Sequence, residues 1–172
     1  MNIHFNINKQ RAIEALVWII QRGEANLYNV IKILFAAEKY RLNKYGGPIT
    51  GDRYVAMEFG TVPSWTYNAA KHPLPEYGFS KDGDFLHLSQ GRKHDPNMFA
   101  AADIEALEHG FAEYAGKKFS AVMRKNHRER AWQKAIERNP GKKAPKILFE
   151  DMITGKKWLV AHLLENAPYC VI

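Results

Sequence analysis

Cysteine is almost missing from this chain, which has only Cys170. A single thiol excludes an internal disulfide and a multi-cysteine zinc site, and its position third from the end does not match a four-residue prenylation box. Long apolar runs are also missing. Ala15 to Ile20 is followed at once by Gln21 and Arg22, far short of the roughly 20 residues that span a bilayer, so neither a membrane helix nor a membrane partner is expected. Met1 to Gln10 lack the basic start and apolar stretch of a signal peptide, which makes the cytoplasm the expected location. Twelve glycines and eight prolines in 172 residues are too few for a low-complexity or collagen-like chain.

Chemical signatures are equally sparse. There is no Gly-rich phosphate loop ending in Gly-Lys-Ser/Thr, no dinucleotide-binding glycine pattern and no nucleophile elbow. The seven histidines include no pair one helical turn apart, and the nearest cluster, His87, His94 and Asp95, has poor spacing for a metal. His127 and Cys170 supply a base and a thiol, but nothing in the sequence brings them together. No catalytic residue, metal or cofactor is therefore expected.

What is present suits a folded chain. At 19.7 kDa, with 46% hydrophobic and 25% charged residues, the chain can bury a core without staples, and residues 1–172 are expected to form a single domain. Ile13, Leu16, Val17 and Ile20 repeat at helical spacing and predict a helix over 9–22 ended by Gly23. Leu27, Val30, Ile31, Leu34 and Phe35 predict a second, capped by Asn26 and stopped by Gly46-Gly47-Pro48. Residues 49–60 read as a short helix with Asp52 in its first turn, and Ser64 as the cap of a helix over 65–71. Lys81-Asp82-Gly83-Asp84 predicts a hairpin turn between strands 77–80 and 85–88, expected to be the only sheet. Further helices are predicted near 101–115, around Phe119 to Met123, around Trp132 and Ile136, and over 148–153 and 156–167. The expected fold is a mainly α, compact helical domain with a small antiparallel β-hairpin near residues 77–88.

Lys and Arg number 25 against 18 Asp and Glu, a net charge of +7, and the two signs are separated along the chain. Asp95, Asp103, Glu105, Glu108 and Glu113 lie in a stretch without Lys or Arg, whereas residues 117–146 hold eleven Lys or Arg against Glu129 and Glu137. Such a basic run could neutralise phosphates, so a nucleic-acid-binding protein is one reading. Phe119 and Trp132 fall on apolar helical stripes and read as core instead of stacking platforms.

One compound pattern is more specific. Lys44-Tyr45-Gly46-Gly47-Pro48-Ile49-Thr50-Gly51-Asp52-Arg53-Tyr54-Val55-Ala56-Met57 is followed by Phe59-Gly60-Thr61-Val62-Pro63-Ser64 and then Tyr67, with His127 to Trp132 further on. The run resembles the Panacea-domain family, also called SocA-like antitoxins, over roughly residues 10–153. Phe59 replaces the family's usual tyrosine and Thr61 its first proline. The resemblance implies a helical, non-enzymatic antitoxin that binds a cognate protein toxin encoded by a neighbouring gene, and in some relatives hands it to a protease. The expected contact is either the acidic helix within 95–113 or an acidic patch on the toxin facing 117–146. Candidate partner-binding residues are Asp52, Arg53, Tyr54, Trp65, Tyr67, His127 and Trp132, with Asp52 and Arg53 expected at the surface. Gly46, Pro48, Gly60 and Pro63 are expected to set turns.

Overall fold

A computed structural model of the chain describes residues 2–166; Cys170 and the end of the last expected helix lie outside them. Helix α1 (Lys9–Gln21) starts where the Asn8 side chain accepts from the Arg11 amide. Helix α2 (Leu27–Tyr45) starts at Asn26, whose side chain accepts from the Tyr28 and Asn29 amides, and ends at Gly46 in the left-handed region. Every residue of α2 from Asn29 to Glu38 is buried, because the helix is surrounded. One apolar cluster joins α1 and α2 through Leu16, Ile19, Ile31 and Leu34. A second gathers Phe35 and Leu42 of α2 with Phe5, Tyr54, Ile147 and Phe149.

The segment 49–60 is not helical, which corrects the expectation above. It forms a loop and then strand β1 (Tyr54–Met57), which pairs antiparallel with β2 (Gly60–Pro63) in the register Tyr54↔Pro63 to Met57↔Gly60. The reason is long-range. The Ile49, Thr50 and Gly51 amides point at the Glu38 carboxylate, and β1 also exchanges hydrogen bonds with the chain near 145–147, Ala56 N to Pro145 O and Ile147 N to Tyr54 O, each 2.9 Å. Gly60 (φ +112°) closes the turn, and a Cβ there would fall 2.1 Å from Asn126 Oδ1. A second antiparallel pair, β3 (Phe79–Asp82) with β4 (Phe85–Leu88), is the expected hairpin with its first strand at 79–82 and not 77–80, so the described residues form two small sheets and not one.

Helix α3 (Ser64–Lys71) follows β2 directly, with Pro63 in the capping position and no cap from Ser64. Helix α4 (Ala101–Tyr114) starts at Ala100, where the Asp103 carboxylate accepts from the Ala100 amide at 2.9 Å. This is the half of a capping box that alanine leaves intact. Helices α5 (Phe119–His127) and α6 (Arg130–Arg138) follow, then α7 (Phe149–Met152) and α8 (Lys157–Glu165). The described residues are mainly helical with two small antiparallel strand pairs.

Gly110 brings α4 close to α2. A Cβ at this position would lie 2.3 Å from the Ile33 carbonyl oxygen and 3.0 Å from the Ala37 amide, both backbone atoms that cannot rotate away. Alanine gains about 1 kcal/mol in helix propensity over glycine, but wedging two helices apart costs more. Gly110→Ala is expected to lose about 2–3 kcal/mol net in urea unfolding. An unchanged or higher midpoint would contradict this packing.

Candidate functional site

The site rests on two buried carboxylates. Glu38, in the middle of α2, accepts from the Thr50 amide at 3.0 Å and the Gly51 amide at 3.2 Å, and also from the Ile49 amide and the Thr50 hydroxyl. Burial pushes its pKa upward, while the bonds from Thr50 and Ile49 pull it back. Asp52 does the corresponding work for the next element. It accepts from the Arg53 amide at 2.7 Å, the Trp65 amide at 3.2 Å and the Thr66 amide and hydroxyl at 2.8 and 2.7 Å. Asp52 is thus the carboxylate that caps α3 from a distance. With the residue 2% exposed, the expectation that it stands at the surface is overturned. Together the two carboxylates tie the 49–52 loop to α2 and α3, and so fix the hairpin that follows.

The turn of that hairpin is held by side chains from three helices. Trp132 Nε1 donates to the Met57 carbonyl at 2.9 Å, His127 Nε2 to Glu58 at 2.7 Å, Tyr28 Oη to Phe59 at 2.9 Å and Lys32 Nζ to Thr61 at 2.6 Å. The Asn126 side chain accepts from the Thr61 amide at 2.6 Å. His127 and Trp132 stack with ring centroids 4.3 Å apart. With four consecutive or near-consecutive carbonyls satisfied, the turn presents its side chains outward on a rigid base.

Beside the turn lies a groove of about 660 Å³ whose lining includes Tyr28, Lys32, Met57, Phe59, Tyr67 and Phe119. Phe59 and Phe119 are each 48% exposed. Their rings stand 5.4 Å apart, and Phe119 packs on Tyr28 at 4.5 Å. The placement of Phe119 in the core is therefore corrected: it is the first residue of α5, and no described residue covers its outer face. Trp132 is half-buried against the turn.

The seven candidate partner-binding residues are divided by the structure. Tyr67 is in the groove, and His127 and Trp132 brace the turn. Arg53, which is exposed, and Trp65 line a separate hollow of about 270 Å³ with His4 to Ile7. Tyr54 is 1% exposed and, like Asp52, offers no surface. Among the turn-setting residues, Gly46 and Gly60 adopt positive φ, Pro48 is buried and Pro63 ends β2 in the capping position of α3. Sequence spacing did not mark Tyr28, Lys32, Met57, Phe59 or Phe119 as site residues. Lys32 did carry a signal: it interrupts the apolar run from Val30 to Ala37.

Electrostatics separates the two charged stretches. The acids of α4 are already paired within the chain: Asp103 with Arg11 at 2.6 Å and with Arg41, Glu105 with Lys44, Glu108 with Arg22, and Glu113 with Lys125 at 3.0 Å. Hydrogen bonds from Lys44, Tyr40 and Tyr45 hold Glu105 down at about 2. On the basic side, Lys134 and Arg138 pair with Asp151. Among the described residues Lys117, Lys118, Arg124, Arg128 and Arg130 make no ion pair. No group of three or more His, Cys, Asp or Glu among the described residues could hold a metal ion, and no described helix is long and apolar enough to cross a membrane.

The braced hairpin and the aromatic groove beside it are thus carried by a mainly helical fold. Residues 30–133 match the family model described as antitoxin SocA-like, Panacea domain. The chain belongs to that family. The match spans the Glu38 and Asp52 anchors, the hairpin, α5 and Trp132. No curated protein and no solved structure matches the chain.

Proposed function

We propose that this chain, acting as a single domain, is an antitoxin that neutralises a cognate protein toxin by covering it, without transforming a substrate. The contact face is the hairpin turn with the groove and the start of α5. The observation that carries this reading is the exposure of Phe59 and Phe119 beside Lys117 and Lys118, which make no ion pair among the described residues. Of the two contacts open from the sequence, the acidic helix is disfavoured because its carboxylates are engaged internally. The toxin accordingly presents an acidic surface. Arg53 and Trp65, at the opposite end of the hairpin, mark the outer limit of the contact.

The test is to express the adjacent open reading frame with and without this chain, scoring growth and co-purification. Arrest relieved by the wild-type chain, a stable complex, and a tenfold or greater loss of affinity in Lys117→Glu/Lys118→Glu support the reading. Rescue without a complex contradicts direct masking.

Exposed Phe119 next to Lys117 and Lys118 favours a second reading, nucleic-acid binding through stacking and phosphate contacts. A steep fall of log affinity for a generic oligonucleotide with log salt would support it, and no binding at low salt would reject it.

A further inference from the structure

Lys32 is an unusual residue to find in the groove. It is 1% exposed, and its Nζ donates to the Thr61 carbonyl at 2.6 Å and lies 4.8 Å from the Tyr28 ring centroid. None of the ion pairs among the described residues includes it, although an ammonium has three donors and one carbonyl engages a single one. A buried cation without a carboxylate is costly to a fold, and a carboxylate brought in from outside would offset that cost.

The acids of the chain that line the groove do not supply it. Glu24 is occupied by the Asn26 and Gly116 amides at 2.9 and 2.7 Å and by the Asn29 side chain at 3.1 Å. Asp84 also lines the groove but is an exposed turn residue, and it makes no ion pair among the described residues. The groove thus combines exposed aromatic walls, a buried lysine with no ion pair among the described residues and, at its edge, the exposed Lys117 and Asp84. That composition fits a segment that is apolar along its length and carries one negative group.

We propose that the partner protein inserts into this groove an apolar segment bearing a carboxylate side chain, which pairs with Lys32 while its apolar flanks pack on Phe59 and Phe119. This rests on the antitoxin reading and names the chemistry of the partner's contact. A well-oriented charge pair buried at an interface has a large effect when one member is removed, whereas Lys117 at the rim mainly steers the encounter.

The test is titration calorimetry of the purified toxin into the full-length wild-type chain, Lys32→Met and Phe119→Ser. Phe119 is exposed, so its substitution reports on binding even if Lys32→Met were to fold poorly. The expected result is wild-type binding, with affinity reduced tenfold or more by each substitution. One Asp or Glu of the toxin should also exist whose change to Asn or Gln weakens the wild-type complex but adds nothing to Lys32→Met. Wild-type binding matched within twofold by both variants would overturn the groove proposal while leaving the antitoxin reading in place. A toxin that does not bind the wild-type chain at all would end both. A fluorescent single-stranded oligonucleotide that binds the wild-type chain, loses affinity in Lys32→Met and competes with the toxin would assign the groove to nucleic acid and overturn the proposal.

Discussion

Glu38→Ala is expected to cost about 4 kcal/mol or more of unfolding free energy and to abolish partner binding together with the fold of the hairpin. The carboxylate is fully buried, and three consecutive amides and one hydroxyl converge on it. Alanine leaves those donors without acceptors, at about 1–3 kcal/mol for each one that water cannot reach, and opens a cavity in the centre of α2. The loop it releases is the one that carries Asp52, so the cap of α3 and the entry to β1 lose their support as well. Chemical denaturation measures the first effect. A loss below about 1 kcal/mol would show that the 49–51 loop holds its shape without the carboxylate, and that the anchor described above is not one.

Lys32→Met is expected to have the opposite sign. Burial pulls the lysine down from 10.5 to about 7, so between these values the unfolded chain binds a proton that the folded chain does not. Stability from this residue therefore rises with pH across that window, is complete above 10.5 and is lost as pH falls toward 7. Tyr28, pushed up to about 12 by burial, stays neutral throughout. At pH 7 methionine removes the penalty of the buried ammonium but leaves the Thr61 carbonyl without its donor, for a net gain of about 2 kcal/mol. Thermal unfolding from pH 7 to 10 should show a wild-type slope that the variant lacks. A variant less stable than wild type at pH 7 would contradict the burial of an uncompensated charge. Greater stability with weaker binding is the pattern of a residue kept for recognition and not for folding.

Helices α1, α2, α4 and α5 and the second hairpin could be read from the sequence because their determinants are local. Ile13, Leu16, Val17 and Ile20 repeat with the helical period, and Gly83-Asp84, with Gly83 at positive φ, forms the turn. The first hairpin could not be read in this way. Its shape is dictated by Glu38, eleven or more residues upstream, and by Pro145 and Ile147, some ninety residues downstream. A short run such as Tyr54 to Met57 carries no periodic signal strong enough to announce either contact. Asp52 deceived for the same reason: a carboxylate that caps a helix beginning twelve residues later looks like a surface charge.

The candidate site was legible in outline. The compound pattern through Gly46, Asp52 and Pro63 led to the family and to the segment that builds the site. It did not separate the residues that hold the hairpin from those that face outward. Phe119 shows why. Helical spacing places a side chain on a stripe, but only the packing of neighbouring elements decides whether the stripe is covered.

The central claim is that a preformed face, made of the Met57–Gly60 turn, the groove floor around Tyr28 to Lys32 and the start of α5, meets an acidic partner protein. Amide hydrogen exchange of the chain, alone and saturated with its toxin, tests it most directly. Protection gained at residues 57–61, 28–32 and 117–122, with α4 unchanged, is the predicted result. Protection concentrated on α4, or none anywhere in a complex that demonstrably forms, would contradict it.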